Sequence, residues 1–299
     1  MRLRFIFVLA SFTAVGLVAC ALAISPVAAS ASPHTQNPDT IPAEKSTAMA
    51  KEIIQQMIAA LGGSTYLNVR DSDCTGRLSV FGPLTGEAGG TAEFHSYWIF
   101  PDKYRREITT KQPLPIPVIG DIGDINKTGR RTDVFNGNQG WMLDHAGVED
   151  VDSVVVAAFQ ASTKTTFDNL IRYRLKEPDL EYRYRGEDVV DLKQADWVEI
   201  TDADQRNFRI AVDRGSHLPV RYIVTTVDPK TTEPTEDIAI YSNWHLIAGV
   251  QTPYGILRER DGKRTQQTFY DVCRYNLGVS PELFTKEDLQ NRSKVKKSK

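Results

Sequence analysis

From Arg70 to Phe284 the chain alternates apolar or aromatic residues with polar ones, one strand-like segment after another. Phe94, Ser96, Trp98 and Phe100 interleave with Glu93, His95 and Tyr97, and Tyr222, Val224 and Thr226 interleave with Arg221, Ile223 and Thr225. Side chains on a strand point to opposite faces with a period of two, so this pattern builds a sheet with one greasy and one wet face. A large one-sided sheet buries its greasy face against another layer, curls on itself, or takes up an apolar ligand.

The alternation predicts strands at 73–81, 91–100, 104–110, 131–135, 140–144, 181–190, 195–202, 207–213, 218–227, 236–244, 250–258 and 264–275. Turn chemistry separates them at Gly82-Pro83, Asn136-Gly137-Asn138, Asp202 to Gln205, Arg214-Gly215 and Asp261-Gly262. Connections this short imply a meander of antiparallel hairpins. Met49, Ile53, Ile54, Met57, Ile58 and Leu61 recur at three- and four-residue spacing, which predicts an amphipathic helix with Ser46 or Thr47 as N-cap and Gly62-Gly63 as its stop.

Two segments interrupt the meander. Residues 154–175 space Phe159, Thr163, Phe167, Leu170, Ile171 and Arg174 at helical intervals and predict one or two helices. Residues 111–127 read as a stiff apolar loop, because Pro113, Pro115 and Pro117 bar a central strand. Such a loop either folds over the core or serves as a contact surface. The fold class is therefore mainly β with some α, an open antiparallel half-barrel of about ten to twelve strands with an N-terminal helix and a helical lid insertion.

Phe94, Trp98, Phe100, Trp141, Trp197, Tyr222, Trp244 and Phe269 come from different strands and converge if the sheet curls. Only a few helical turns are available to cover them, which leaves apolar concave surface for a guest. Burying a fatty chain there yields about 0.8 kcal/mol per methylene.

The ends of the chain place that sheet in a cell. Arg2 and Arg4, then an uncharged run from Phe5 to Ala19, then small residues make residues 1–31 a secretory signal. Leu17-Val18-Ala19-Cys20 has the form of a lipobox that would lipidate Cys20, while Val27-Ala28-Ala29 and Ala29-Ser30-Ala31 offer ordinary cleavage sites. The protein is thus expected in the periplasm or at the outer membrane. Residues 32–46 read as a flexible leader, 47–288 as one domain, and 289–299 as a basic disordered tail. With a net charge of −2 and no recurring basic face, nucleic acid is excluded as a partner. Cys74 and Cys273 either pair in the oxidising envelope or remain two half-buried thiols; the second reading is the plainer one.

No catalytic group assembles from the sequence. There is no G-x-S-x-G, no phosphate-cradling loop, and the histidines at 95, 145, 217 and 245 stand singly, so neither metal nor cofactor is expected. Glu149, Asp150 and Asp152 form one acidic cluster and Asp121 and Asp124 another, both read as solvated loops or helix starts. In Tyr182-Arg183-Tyr184-Arg185, alternation places the tyrosines on one face and the arginines on the wet one.

Several short motifs carry a resemblance. A helix over 48–61 precedes a strand pair meeting at Ile99-Phe100-Pro101-Asp102-Lys103-Tyr104-Arg105, followed by Asp133-Val134-Phe135-Asn136-Gly137-Asn138-Gln139-Gly140-Trp141-Met142-Leu143-Asp144. A helical insertion and a hairpin meander ending in Tyr275-Asn276 and Pro281-Glu282-Leu283-Phe284 complete the layout. This resembles the LolA/LolB-like periplasmic lipoprotein carriers and the related RseB-type stress sensors over residues 48–288. The resemblance implies a half-closed barrel whose concave face holds acyl chains under helical lids. Trp98, Phe100, Tyr104 and Trp141 match lining positions in it, and Phe159, Phe167 and Leu170 match the lid. One position departs: the best-known carriers have an arginine before the strand-pair proline that helps hold the lid closed, where this chain has Phe100 and no replacement donor evident in its sequence.

The expected function is a non-enzymatic envelope carrier for an acylated lipoprotein or lipid, with peripheral membrane contact. The alternative is a regulatory or scaffold module that docks an envelope protein through residues 113–125. A third option is a hydrolase using acids near 149–152.

Overall fold

The computed structural model describes residues 37–82, 86–111, 114–118, 121–125, 129–227 and 232–297, and Cys20 with the rest of the expected signal lies outside them. For 114–118, 121–125 and 295–297 only the backbone is described. Helices α1 (Ala43–Leu61) and α2 (Ser64–Leu67) lead into strands β1 (Asp71–Phe81), β2 (Ala88–Ile99) and β3 (Lys103–Thr109). A separate hairpin, β4 (Leu114–Val118) and β5 (Asp121–Ile125), precedes β6 (Arg130–Asn136), β7 (Gln139–Leu143) and β8 (Val148–Asp150). The insertion is two helices, α3 (Ser153–Thr163) and α4 (Phe167–Arg172). Then come β9 (Glu181–Val190), β10 (Lys193–Thr201), β11 (Asn207–Asp213), β12 (Pro219–Val227), β13 (Pro234–Ile247), β14 (Val250–Arg260), β15 (Lys263–Tyr275) and α5 (Lys286–Lys297).

Thirteen strands form one sheet in the order β8-β7-β6-β3-β2-β1-β15-β14-β13-β12-β11-β10-β9. Every neighbouring pair is antiparallel. Two fans of hairpins, β1 to β8 and β9 to β15, are thus joined through β1 and β15, where the chain's first and last strands pair. At that seam Cys74 sits opposite Cys273 and the two form a disulfide, with Cα atoms 4.2 Å apart. The reading of two free thiols is overturned. Strand adjacency across 199 residues is a property of topology, which local sequence does not carry.

Helix α1 buries Ser46, Ala50, Ile54, Met57 and Leu61, one stripe at three- and four-residue spacing, against β9, β10 and β14. Its stop is as expected. Gly62 has φ +126°, and a Cβ there would lie 2.2 Å from the carbonyl oxygen of Gly249, so only glycine fits. Its start is not, because the helix begins at Ala43 with Pro42 before it. Ser46 and Thr47 do other work: the Tyr184 amide donates to Ser46 Oγ at 2.9 Å and Thr47 Oγ1 donates to the Tyr182 carbonyl at 3.0 Å. These are main-chain groups on the outer edge of β9, which would otherwise be unpaired. The leader expected to be loose over 32–46 is therefore ordered from Asn37, with Asp39 also paired to Arg185.

The tail expected to be disordered is helical to Lys297. Leu289 on α5 and Phe284 just before it are fully buried against Val134, Trp141 and Leu143, on the sheet face opposite α1, α3 and α4. Arg105, 1% exposed, fastens this strap by donating to the Leu283 carbonyl at 2.8 Å and to Asp288 Oδ2 at 2.7 Å. Two apolar anchors and a buried arginine thus outweigh the basic composition. The 111–127 segment also differs from a plain loop, because it holds the β4–β5 hairpin, which lies against β1 and β2. Among the described residues no helix is long and apolar enough to cross a membrane.

Replacing Cys74 and Cys273 by serine should lower unfolding stability by about 5 kcal/mol on the chain-entropy estimate for so long a loop. Denaturant titrations in the presence and absence of a thiol reductant check this: the reductant should shift the wild-type midpoint and leave the double variant unmoved.

Candidate functional site

Register assigns each side chain to a face. On the inner face, covered by α1, α3 and α4, Trp98 of β2 pairs with Tyr104 of β3, which pairs with Phe135 of β6. Helix α3 lays Phe159, fully buried, onto this row. The rings of Trp98 and Tyr104 are 4.3 Å apart, those of Phe135 and Phe159 4.4 Å, and Trp98 stacks on Phe100 at 5.6 Å. Phe94 continues the same face four residues before Trp98 on β2, against Tyr270 at 5.6 Å. Gly76 between them on β1 has no room for a Cβ, which would sit 3.0 Å from the Phe94 ring and 2.2 Å from the Phe269 carbonyl oxygen.

The other half of the inner face holds Tyr222, with Phe167 of α4 edge-on to it at 5.4 Å and Leu170 buried alongside. Trp244 joins the same cluster beside Tyr241, because the left-handed φ of Asn243 breaks the alternation of β13. The structure thus brings together Phe94, Trp98, Phe100, Tyr104, Phe159, Phe167, Leu170, Tyr222 and Trp244 on one face.

Trp141, Trp197 and Phe269 are not part of it. Trp141 pairs with Val134 and lies beneath α5 on the outer face. Trp197 pairs with Ala211, and Phe269 pairs with Arg77 and Gly255, both also outward, with Phe269 44% exposed. Each residue alternates correctly within its own strand, yet a strand's own pattern does not say which of two apolar faces is inner when both are partly covered.

Helix α4 is held down by specific polar contacts. Asn169 Nδ2 donates to the carbonyls of Pro101 at 2.9 Å and Thr163 at 2.8 Å. The Tyr66 hydroxyl donates to Asp168 at 2.9 Å, and the Tyr222 hydroxyl donates to the Thr165 carbonyl at 2.8 Å. The guanidinium of Arg172 lies between the rings of Tyr66 and Phe100, at 4.5 and 4.6 Å, and pairs with Asp168 at 3.1 Å. The residue before Pro101 thus meets a guanidinium through space, although it carries none itself. Arg172 supplies the cation and Phe100 receives it on its ring face. Sequence spacing could not reveal this pairing across 72 positions.

The trough between sheet and lid is filled by these side chains. The depressions that stand out lie elsewhere. One of about 340 Å³ sits between β7, β8 and the start of α3, and another of about 410 Å³ is lined by Asn68, Arg70, Asp71, Asn276 and Gly278. The expected spare oily space is thus closed over in this conformation, because two short helices plus aromatic floor residues fill more volume than helix length alone implies.

The remaining sequence candidates have structural partners. Asp150 pairs with Lys286 at 2.8 Å, and Asp152 caps α3 by accepting from the Val154 amide at 2.7 Å. The side chains of Asp121 and Asp124 lie outside the described residues. His95 contacts Asp73 at 2.7 Å and Tyr97 at 3.1 Å, on the outer face. Among the described residues no group of three or more His, Cys, Asp or Glu is placed to hold a metal.

Burial holds the inner-face phenols above the usual tyrosine range. Tyr66 and Tyr222 are raised chiefly by desolvation, and Tyr275, desolvated and bonded to Thr252, is pushed up to about 12.

Two outcomes follow from this geometry. Asn169→Ala should cost about 1–3 kcal/mol, since the carbonyls of Pro101 and Thr163 lose their shared donor, and should speed amide exchange across 153–172. For Tyr275 the folded state keeps its proton past the ordinary phenol value of 10.0 up to about 12, so its stabilising contribution is complete below pH 10 and is lost as pH rises through that window. Urea unfolding from pH 8 to pH 12 should show that decline, and Tyr275→Phe should make it shallower without removing it, because Tyr66 and Tyr222 are raised too.

No family model matches the chain, and no curated protein matches its sequence. Solved structures do. A DUF1329 family protein from Desulfovibrio piger matches with a TM-score of 0.48 and 14% identity over 81% of this chain and 99% of that one. A domain named for outer membrane lipoprotein sorting, from Vibrio parahaemolyticus, gives 0.47 and 12% over 83% and 100%. A LolA superfamily protein from Nitrosomonas europaea gives 0.47 and 13% over 80% and 99%. Likenesses this remote decide neither ligand nor partner. In overall fold, the chain is similar to LolA-like lipoprotein-sorting domains.

Proposed function

We propose that this protein is an exported carrier that takes an acyl chain, from a lipid or an acylated lipoprotein, into the trough beneath α3 and α4. The observation that carries this is the aromatic floor of Trp98, Phe100 and Tyr104, roofed by two helices of 11 and 6 residues rather than by a second sheet. Lifting this roof as a unit breaks a few hydrogen bonds and one cation–ring contact and uncovers Phe159 and Leu170. A guest chain then replaces Phe159 and Phe167 against the same rings.

Magnitudes bound the affinity. Eight buried methylenes yield about 6 kcal/mol, a dissociation constant of tens of micromolar before the cost of lifting the lid is subtracted. Useful retention thus needs a long chain, more than one chain, or additional polar contacts. A reading in which residues 113–125 dock a protein partner has less in its favour, because β4 rests on β1 and β2. Of the acids proposed for a hydrolase, Asp152 is engaged as a helix cap and Asp150 in an ion pair.

Delipidated protein should bind a fluorescent fatty-acid probe saturably. Trp98→Asp should weaken that binding at least tenfold, while Phe269→Ser on the outer face should leave it unchanged. Equal loss in both variants, or equal retention, contradicts the assignment of the inner face; circular dichroism confirms that each remains folded.

A further inference from the structure

The inner face carries one cation for which no ion pair is formed among the described residues. Arg258 of β14 stands opposite Ala239 of β13 and Gln266 of β15, and it is exposed. Nearby arginines behave differently: Arg260 pairs with Asp237, Arg221 with Asp191, and Arg209 with Glu236. Arg258 instead lies within electrostatic reach of three phenols on the same face, Tyr104, Tyr241 and Tyr270. Burial holds Tyr241 and Tyr270 well above the ordinary phenol range, so both remain hydrogen-bond donors at neutral pH. Neither hydroxyl has a hydrogen-bond partner among the described residues. Tyr104 in turn stacks on Trp98, so a path runs from Arg258 across Tyr104 to the aromatic floor beneath α3.

We propose that Arg258, with the hydroxyls of Tyr241 and Tyr270, forms a head-group site for an anionic amphiphile whose chain lies along Tyr104 and Trp98. One guanidinium and two phenolic donors suit a carboxylate or a phosphodiester and offer a neutral head nothing comparable, and the one carboxylate within reach of both phenols, Asp168, is already engaged by Arg172 and the Tyr66 hydroxyl. An exposed arginine at the rim of an apolar trough also fits an amphiphile sterically, since the head stays near water while the chain is buried. The site rests on the trough reading above and narrows its ligand class. A charge-assisted contact of this kind is worth roughly ten- to a hundredfold in affinity.

Calorimetric titration of the full mature chain with oleate, oleyl alcohol, dioleoylphosphatidylglycerol and dioleoylglycerol tests this. At least one anionic member should bind about tenfold or more tighter than its neutral counterpart, and the member that does so identifies the head as carboxylate or phosphodiester. Arg258→Ala should abolish the gap by weakening only the anionic ligand, and Arg258→Lys should restore part of it. Equal binding of neutral and anionic members by the wild type, or a gap that survives Arg258→Ala, overturns the head-group site and leaves the trough standing. If none of the four binds, the trough reading itself fails and the head-group site falls with it.

Discussion

Everything in this molecule hangs on the pairing of β1 with β15. Each fan of hairpins is local, and each pairs its own strands through short turns. Only the β1–β15 seam joins them, and it aligns the row Trp98, Ser72, Tyr275 across three strands. The Cys74–Cys273 bond lies in that same seam. A chain that failed to form it would hold two half-sheets, each with an apolar face and a raw edge, and neither large enough to enclose a trough.

The inner and outer faces are put to different use. Outside, near β3, β6 and β7, α5 clamps the sheet with buried apolar anchors and the Arg105 contacts. Inside, the covering helices are short, and α4 is fastened through polar groups as much as through apolar ones. The strapped end of the sheet is therefore sandwiched between layers, with α5 on one face and the two insertion helices on the other.

Much of this was legible in the residues. Alternation located the long strands of the second fan within a few positions, and the apolar stripe of α1 was plain because a period near 3.6 admits no other element. Legibility ended where the answer depended on neighbours. Trp141, Trp197 and Phe269 have the right spacing for a lining, but parity between strands is set by turns and bulges such as those at Thr75/Gly76 and Asp196/Val198. The disulfide and the Arg172–Phe100 stack join residues far apart in sequence. Helix α5 was hidden by its lysines, since only Leu289 declares a buried face.

The hydroxyls of Ser46 and Thr47 have a consequence for how the sheet ends. By bonding the main chain of Tyr182 and Tyr184, they hem one of the two borders of a thirteen-strand sheet. Proteolytic trimming that reached into α1 would unpick that hem, and molecules so shortened would add to one another strand by strand.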